Sequence, residues 1–306
     1  MNFEEILREI EAEIKPHVGE GAVADYIPAL AEADINSFAM SVITLDGKRY
    51  DVGDCATPFS IQSISKIFGL TLALGFEGAD LWERVGREPS GTAFNSIVQL
   101  ERENGIPRNP FINAGALVVT DAIISHCKGN DPLPLILDLV RRASGGAAVG
   151  VDQRVAASEK EWGDRNRSLA YFMKSFDVLE NDPENVLDAY FNQCAIEMTT
   201  PALARAGLFL ANDGVDPITH EEITTHARVN RINALMLTCG HYDMSGDFAF
   251  RVGLPGKSGV GGGILAIVPG ACSVAVWSPG LNTYGSSHAG TLALEAFSEK
   301  TQLNLF

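Results

Sequence analysis

Apolar residues fall into a helical period at the start of the chain. Phe3, Ile6, Leu7, Ile10 and Ile14 share one face with acidic residues between them, which predicts an amphipathic helix over residues 2–17. At residue 38 the period changes. Residues 38–45 (FAMSVITL) are β-rich, and Asp46-Gly47 separates them from residues 48–52 (KRYDV), the signature of an antiparallel hairpin. From Ser63 to Leu74 the helical period returns through Ile64, Ile67, Phe68, Leu70 and Leu74, with Ser60 or Ser63 available as a cap. Residues 114–126, 131–142, 166–176 and 198–212 also read as helices, joined by polar or glycine-containing turns with no strand among them. Strands are predicted again over 248–252, 263–268 and 272–277, punctuated by Pro-Gly turns, before a closing helix over 287–300.

This order places strands at both ends and helices in the middle, so the expected class is α+β. An antiparallel sheet flanked by helices, built from about 1–75 and 225–306, would carry an inserted all-helical lobe from about 76–224. The cleft between the two is the natural site.

Composition narrows the functions open to such a fold. The 306 residues are 46% hydrophobic and 20% charged, enough to bury a large core. The 23 basic residues are outnumbered by 39 acidic ones, and the net charge of -16 repels phosphate backbones, so nucleic-acid binding is not expected. The start of the chain lacks the basic and apolar pattern of an export signal, and the apolar runs at 67–76 and 264–277 are too short or too broken to span a bilayer. Five widely spaced cysteines without a C-x-x-C pair suggest free thiols in a reducing compartment, and a cytoplasmic protein without membrane contact is expected.

Three familiar chemistries fail on spacing. His220-Glu221 is followed by a histidine only at His226, which is not the one-turn spacing of a zinc hydrolase. Gly256-Lys257-Ser258 lacks the leading glycine of a phosphate loop, because position 251 is Arg251. No G-x-S-x-G elbow is present. Neither a metal nor any other cofactor is expected. What remains is Ser63-Ile64-Ser65-Lys66, an S-x-x-K element at the start of a predicted helix. Its spacing puts hydroxyl and ammonium on one face, where a lysine of lowered pKa can take the serine proton. Lys257-Ser258-Gly259 follows late in the chain, just ahead of a predicted strand, as the K-[ST]-G element does in acyl-serine enzymes of the penicillin-binding class. Glycines 259 and 261–263 would let a substrate approach the strand edge, with the Val260 and Ser63 N–H groups facing an oxyanion.

Further stretches extend the pattern: Asp25-Tyr26-Ile27-Pro28, Glu88-Pro89-Ser90-Gly91, Phe94-Asn95-Ser96, Asn109-Pro110-Phe111-Ile112-Asn113, Ser158-Glu159 with Arg165-Asn166, and Tyr190-Phe191-Asn192-Gln193-Cys194. Most telling is Thr238-Cys239-Gly240-His241-Tyr242-Asp243 ahead of Gly256-Lys257-Ser258-Gly259-Val260. With these motifs in order, the chain resembles the serine-dependent glutaminases nearly end to end. The resemblance implies a β-lactamase-like fold and hydrolysis of L-glutamine to L-glutamate and ammonia through a glutamyl-serine ester. Position by position it implies Ser63 as nucleophile, Lys66 as base and Tyr242 in the proton relay. Substrate contacts would come from Tyr26, Ser63, Asn113, Glu159, Asn166, Tyr190, Tyr242 and Val260, supported by Lys257, Ser258 and Gly259. Glu159 suits the substrate ammonium, and the neutral donors suit its carboxylate. The sequence leaves open which of Lys66, Lys257 or Tyr242 acts as the operative base. Family members assemble as homodimers or homotetramers, which the resemblance extends to this chain. Gln62 and His241 depart from the pattern, which commonly has glutamate before the serine and methionine before the tyrosine.

Overall fold

The computed structural model describes residues 1–90 and 97–306; Gly91 and the Phe94-Asn95-Ser96 motif lie outside the described residues. Helix α1 (Phe3–Ile14) starts at the Asn2 cap, buries Phe3, Leu7, Ile10 and Ile14, and ends in a 3-10 turn, Lys15–His17. The predicted hairpin follows as strands β1 (Ala39–Thr44) and β2 (Arg49–Gly53). Strand β3 (Phe59–Ser60) runs into a 3-10 turn, Gln62–Ser65, and helix α2 (Lys66–Glu77). The expected helix thus begins three residues later than Ser63, and the S-x-x-K element straddles its entry turn.

The middle of the chain supplies α3 (Leu81–Arg84), α4 (Val98–Arg102), α5 (Asn113–His126) and α6 (Leu133–Ala143), then strand β4 (Gly150–Val151). Next come α7 (Gln153–Trp162), α8 (Asp164–Lys174), α9 (Pro183–Cys194), strand β5 (Ile196–Met198), α10 (Thr200–Ala211) and α11 (His226–Cys239). The last quarter comprises α12 (Ser245–Arg251), strands β6 (Gly256–Ser258), β7 (Gly263–Val268) and β8 (Cys272–Trp277), and α13 (His288–Thr301).

Five strands form one antiparallel sheet in the order β2-β1-β8-β7-β6, so strands from the two ends of the chain meet at its centre, Ala39 opposite Trp277 and Thr44 opposite Cys272. Strand alternation sorts the two faces. Met40, Val42, Ile264, Ala266, Val274 and Val276 pack against α1 and α13. Ala39, Ile43, Leu265, Ile267 and Ala275 turn to the other core, where α10 lies across the sheet and the helices α2, α5 and α9 continue it. The sheet is therefore covered by helices on both faces, as the α+β reading expects.

Two expectations are corrected. Residues 248–252 are not a strand: Phe248 and Val252 are buried one helical turn apart at α12, while Phe250, which strand alternation would bury with them, is 90% exposed. An Arg251–Asp247 ion pair at 3.6 Å, spaced i and i+4, supports the helix. The middle third is not free of strands either. β3, β5 and β4 form a second, three-stranded sheet whose members, two or three residues long, are too short to show a period.

Candidate active site

Ser63 sits where the small sheet hands the chain to α2. The residue before it, Gln62, has φ of 48°, a left-handed conformation that a non-glycine residue holds only when its surroundings fix it. Those surroundings are identifiable. Gln62 Nε2 donates to Ser60 Oγ at 3.0 Å, and Ser60 Oγ donates to the Cys194 carbonyl at 2.9 Å. On the other side the loop after β6 presses against the same segment. A Cβ on Gly259 would lie 2.5 Å from the Ile61 carbonyl oxygen, and one on Gly261 2.2 Å from that of Ser60. These two glycines thus allow backbone to meet backbone.

Lys66, at the first position of α2, is buried. Its Nζ donates to Asn113 Oδ1 at 2.8 Å and to the Phe111 carbonyl at 3.1 Å. Burial lowers its pKa to about 8, against a smaller upward pull from Cys194 and Glu159. Asn113, the first residue of α5, extends the network: its Nδ2 donates to Asn166 Oδ1 at 2.9 Å on α8, and its Oδ1 also accepts from the Tyr190 hydroxyl at 3.3 Å on α9. Three helices are tied to the lysine in this way.

Tyr242 begins the turn Tyr242–Met244 with φ of 57°, a second left-handed non-glycine residue. Burial raises its phenol pKa, and a hydrogen bond with Ser63 draws it back down. Beneath it, on the short edge strand β6 just ahead of the expected strand β7, Lys257 holds its ammonium 4.4 Å from the Tyr242 ring centroid. Lys257 Nζ donates to the carbonyls of Gly240 at 2.9 Å and Ser258 at 2.6 Å, and burial followed by the Lys66 charge lowers its pKa well below the ordinary value. Ser258 lies alongside, its Oγ 3.4 Å from the same Gly240 carbonyl. His241, stacked on Phe248 at 3.5 Å, is buried with its pKa held low by burial and then by Lys257.

These elements enclose a cavity of about 90 Å³. Ser63, Asn113, Tyr190, Tyr242 and Val260 line it together with Glu159 and Asn166, and the half-exposed Tyr26 stands at its edge. Lys66, Lys257, Ser258 and Gly259 lie behind this lining. Glu159 is 6% exposed; burial pushes its carboxyl up to about 7, opposed by a hydrogen bond from Gln62 and the charge on Lys66. Sequence reasoning did not single out Gln62, Trp162 or Arg165 as pocket residues. Trp162 had a signal, because it lies three residues beyond Glu159 on α7 and shares its face. Cys194 also lines the pocket, one turn from Tyr190, but burial raises its thiol pKa to about 12, which leaves it protonated and a poor nucleophile.

A hydroxyl flanked by a buried lysine and a phenol, in a pocket with one carboxylate and several neutral donors, is equipped for acyl transfer to serine. Fold and pocket define an amide hydrolase of β-lactamase-like architecture. The chain belongs to the glutaminase family, whose sequence profile matches residues 21–306. It is 54% identical to a glutaminase from Rhizobium rhizogenes over 305 residues, covering 100% of this chain and 99% of the relative. A glutaminase from Methylorubrum extorquens is 55% identical with the same coverage. Among solved structures, the probable glutaminase ybaS superposes with a TM-score of 0.92 at 36% identity, covering 99% of this chain and 98% of that one. The Bacillus subtilis glutaminase YbgJ, solved as a covalent complex with 5-oxo-L-norleucine formed from 6-diazo-5-oxo-L-norleucine, gives 0.88 at 32% identity and covers all of both chains. No helix among the described residues is long and apolar enough to cross a membrane.

Proposed function

We propose that the protein hydrolyses L-glutamine to L-glutamate and ammonia through a glutamyl-serine ester on Ser63. The observation that carries this reading is the grouping of Ser63 and Tyr242 on one wall of the pocket with the buried Lys66 behind them, its ammonium 6.0 Å from the Tyr242 ring centroid and its pKa lowered to about 8. Neutral Lys66 takes the Ser63 proton as Oγ attacks the side-chain amide carbon. The oxyanion is met by the N–H groups of Ser63 and Val260. Collapse of the tetrahedral intermediate breaks the C–N bond, and ammonia leaves with a proton relayed through Tyr242. Water then attacks the ester by the reverse relay and frees glutamate.

Recognition divides among the remaining lining residues. Glu159 meets the substrate ammonium, and Tyr26, Asn113, Asn166 and Tyr190 hold its carboxylate and orient the amide. Lys257 supports the relay from below Tyr242, and Ser258 and Gly259 set the edge of the oxyanion pocket. The reading also draws support from the covalent 5-oxo-L-norleucine adduct of the Bacillus relative. The five free cysteines of this chain suit a reducing cytoplasm, and a homodimer or homotetramer is the assembly expected by analogy with the family.

Ammonia release from L-glutamine and from L-asparagine, by wild type and Ser63→Ala, tests the proposal. Release from glutamine that disappears with Ser63→Ala supports it. No release at millimolar glutamine overturns it.

A further inference from the structure

We infer that His17, Glu20 and His288 form a surface site for one divalent transition-metal ion of the zinc class, outside the catalytic pocket. His17 Nδ1 and His288 Nε2 lie 3.1 and 2.9 Å from the same carboxylate oxygen, Glu20 Oε2. The donor atoms of all three residues fall within 4.8 Å of one another. An ion bound tetrahedrally at about 2.0–2.2 Å from each donor sets the donors roughly 3.4 Å apart. Glu20 already meets that spacing to both histidines within about half an ångström, and closing the remaining gap takes side-chain rotation only. The rings stand 73° apart, so their lone pairs can converge on a point without the planes colliding.

The backbone under these side chains is already fixed. His17 ends the turn after α1, and the Glu20 N–H donates to its carbonyl at 3.2 Å. His288 opens α13, its N–H donating to the Gly280 carbonyl at 2.8 Å. Ala22 and Leu281 exchange two hydrogen bonds, 3.1 and 2.9 Å, and staple the two segments together. Binding therefore orders three side chains and no loop.

Two imidazoles and one carboxylate leave the fourth position of a tetrahedral ion to water. Each neutral imidazole offers its lone pair by carrying its proton on the other ring nitrogen, so coordination breaks no covalent bond. With side chains 45%, 52% and 35% exposed, the site is open to ions from solvent, and a net charge of -16 attracts them. The bound ion would clamp the end of α1 to the start of α13, the two helices that cover one face of the sheet. Sequence spacing hides the site, because its histidines are separated by most of the chain.

The test is a Co2+ titration of the full chain at a pH of about 7.5, read by the visible bands of tetrahedral cobalt, with Zn2+ competition and thermal melts alongside. One equivalent is expected to bind. Zn2+ at a hundredfold excess over Kd should raise Tm by about 3–5 °C. His17→Ala and His288→Ala should each weaken binding at least about tenfold and abolish the shift, with ammonia release by the metal-free variants unchanged. Cys127→Ser, which removes the partly exposed thiol, should bind as wild type. A Kd weaker than about 100 µM, or affinity unchanged from wild type in either histidine variant, would overturn the assignment.

Discussion

Lys66 and Lys257 address the same ring: their ammonium nitrogens lie 6.0 and 4.4 Å from the centroid of Tyr242. Burial lowers the pKa of both, that of Lys257 further through the charge on Lys66, and Lys257 holds its ammonium against the carbonyls of Gly240 and Ser258. Lys66, lowered to about 8, is the group placed to lose its proton just above neutral pH.

A base works in its deprotonated form, so kcat/KM should rise with pH through a limb near 8. Lys66→Ala should cost about 10²–10⁴-fold and remove that limb. Tyr242→Phe should slow the reaction and keep it. A limb that persists in Lys66→Ala would assign the titration to another group.

Glu159 ties binding to stability with opposite signs. Its pKa is about 7 in the folded pocket against 4.5 ordinarily, so the folded protein holds more protons than the unfolded chain between these values. Stability attributable to this group is therefore present below about 4.5 and is lost as pH rises through about 7. Glu159→Gln should be the more stable protein at pH ~8, by up to about 3 kcal/mol at roughly 1.4 kcal/mol per pKa unit, with the difference fading toward pH ~4. The same change should raise KM for glutamine at least about tenfold through loss of the ammonium contact. Denaturant unfolding at both pH values and steady-state kinetics check the two halves separately.

Much of this was legible in the chain. The hairpin over β1 and β2, the strands β7 and β8, and the helices α1, α5, α6 and α13 lie where the pattern placed them: α1 and α6 bury one apolar face, whereas β7, β8 and most of α5 are buried all round and show as continuous apolar runs. Helix α9, which carries Tyr190, was missed although Asp182-Pro183 is a start signal: the Asp182 side chain accepts from the Glu184 N–H at 2.9 Å and proline takes the first turn. Strand β6 is too short for any period to show, and its flanking glycines read as a loop. Motifs brought the pocket residues together, whereas Gln62 stands out in the sequence only as a departure from the family pattern, because its role depends on a left-handed φ that no pattern announces.

The glycines behind Ser63 give a sharper test of positioning. Alanine at Gly259 or Gly261 would drive a Cβ into the backbone that carries Ser63. Either change should lower kcat at least about tenfold, with KM moving much less, because it displaces Val260 relative to Ser63 without touching the ammonium subsite. An unaltered kcat would show that the loop has slack.

Away from the pocket, Asp121 on α5 is fully buried and joins the helices to one another. It pairs with Arg84 and accepts from the Glu180 N–H at 3.0 Å, the Asn181 N–H at 2.9 Å and the Asn181 side-chain amide at 3.0 Å. Asp121→Ala takes the nearest carboxylate from Arg84 and leaves the Glu180 and Asn181 donors unmatched, and should destabilise the protein by about 3–5 kcal/mol. Urea unfolding should show the loss as a lower midpoint.

The meeting of β1 with β8 at the centre of the large sheet has a consequence for how the molecule comes to exist. A nascent chain that has delivered the hairpin β1–β2 carries an open edge, and its partner strand is made more than two hundred residues later. Until β8 arrives, α1 and α10 can cover the faces of the hairpin but its β1 edge has no partner, and the strands β6 and β7 that carry the glycine-rich loop past Ser63 have no strand to join them to it. Closure across so long a loop is entropically slow. Acylation should therefore begin only after the last strands dock, and a chain arrested before residue 272 should expose that edge to aggregation instead of gaining activity.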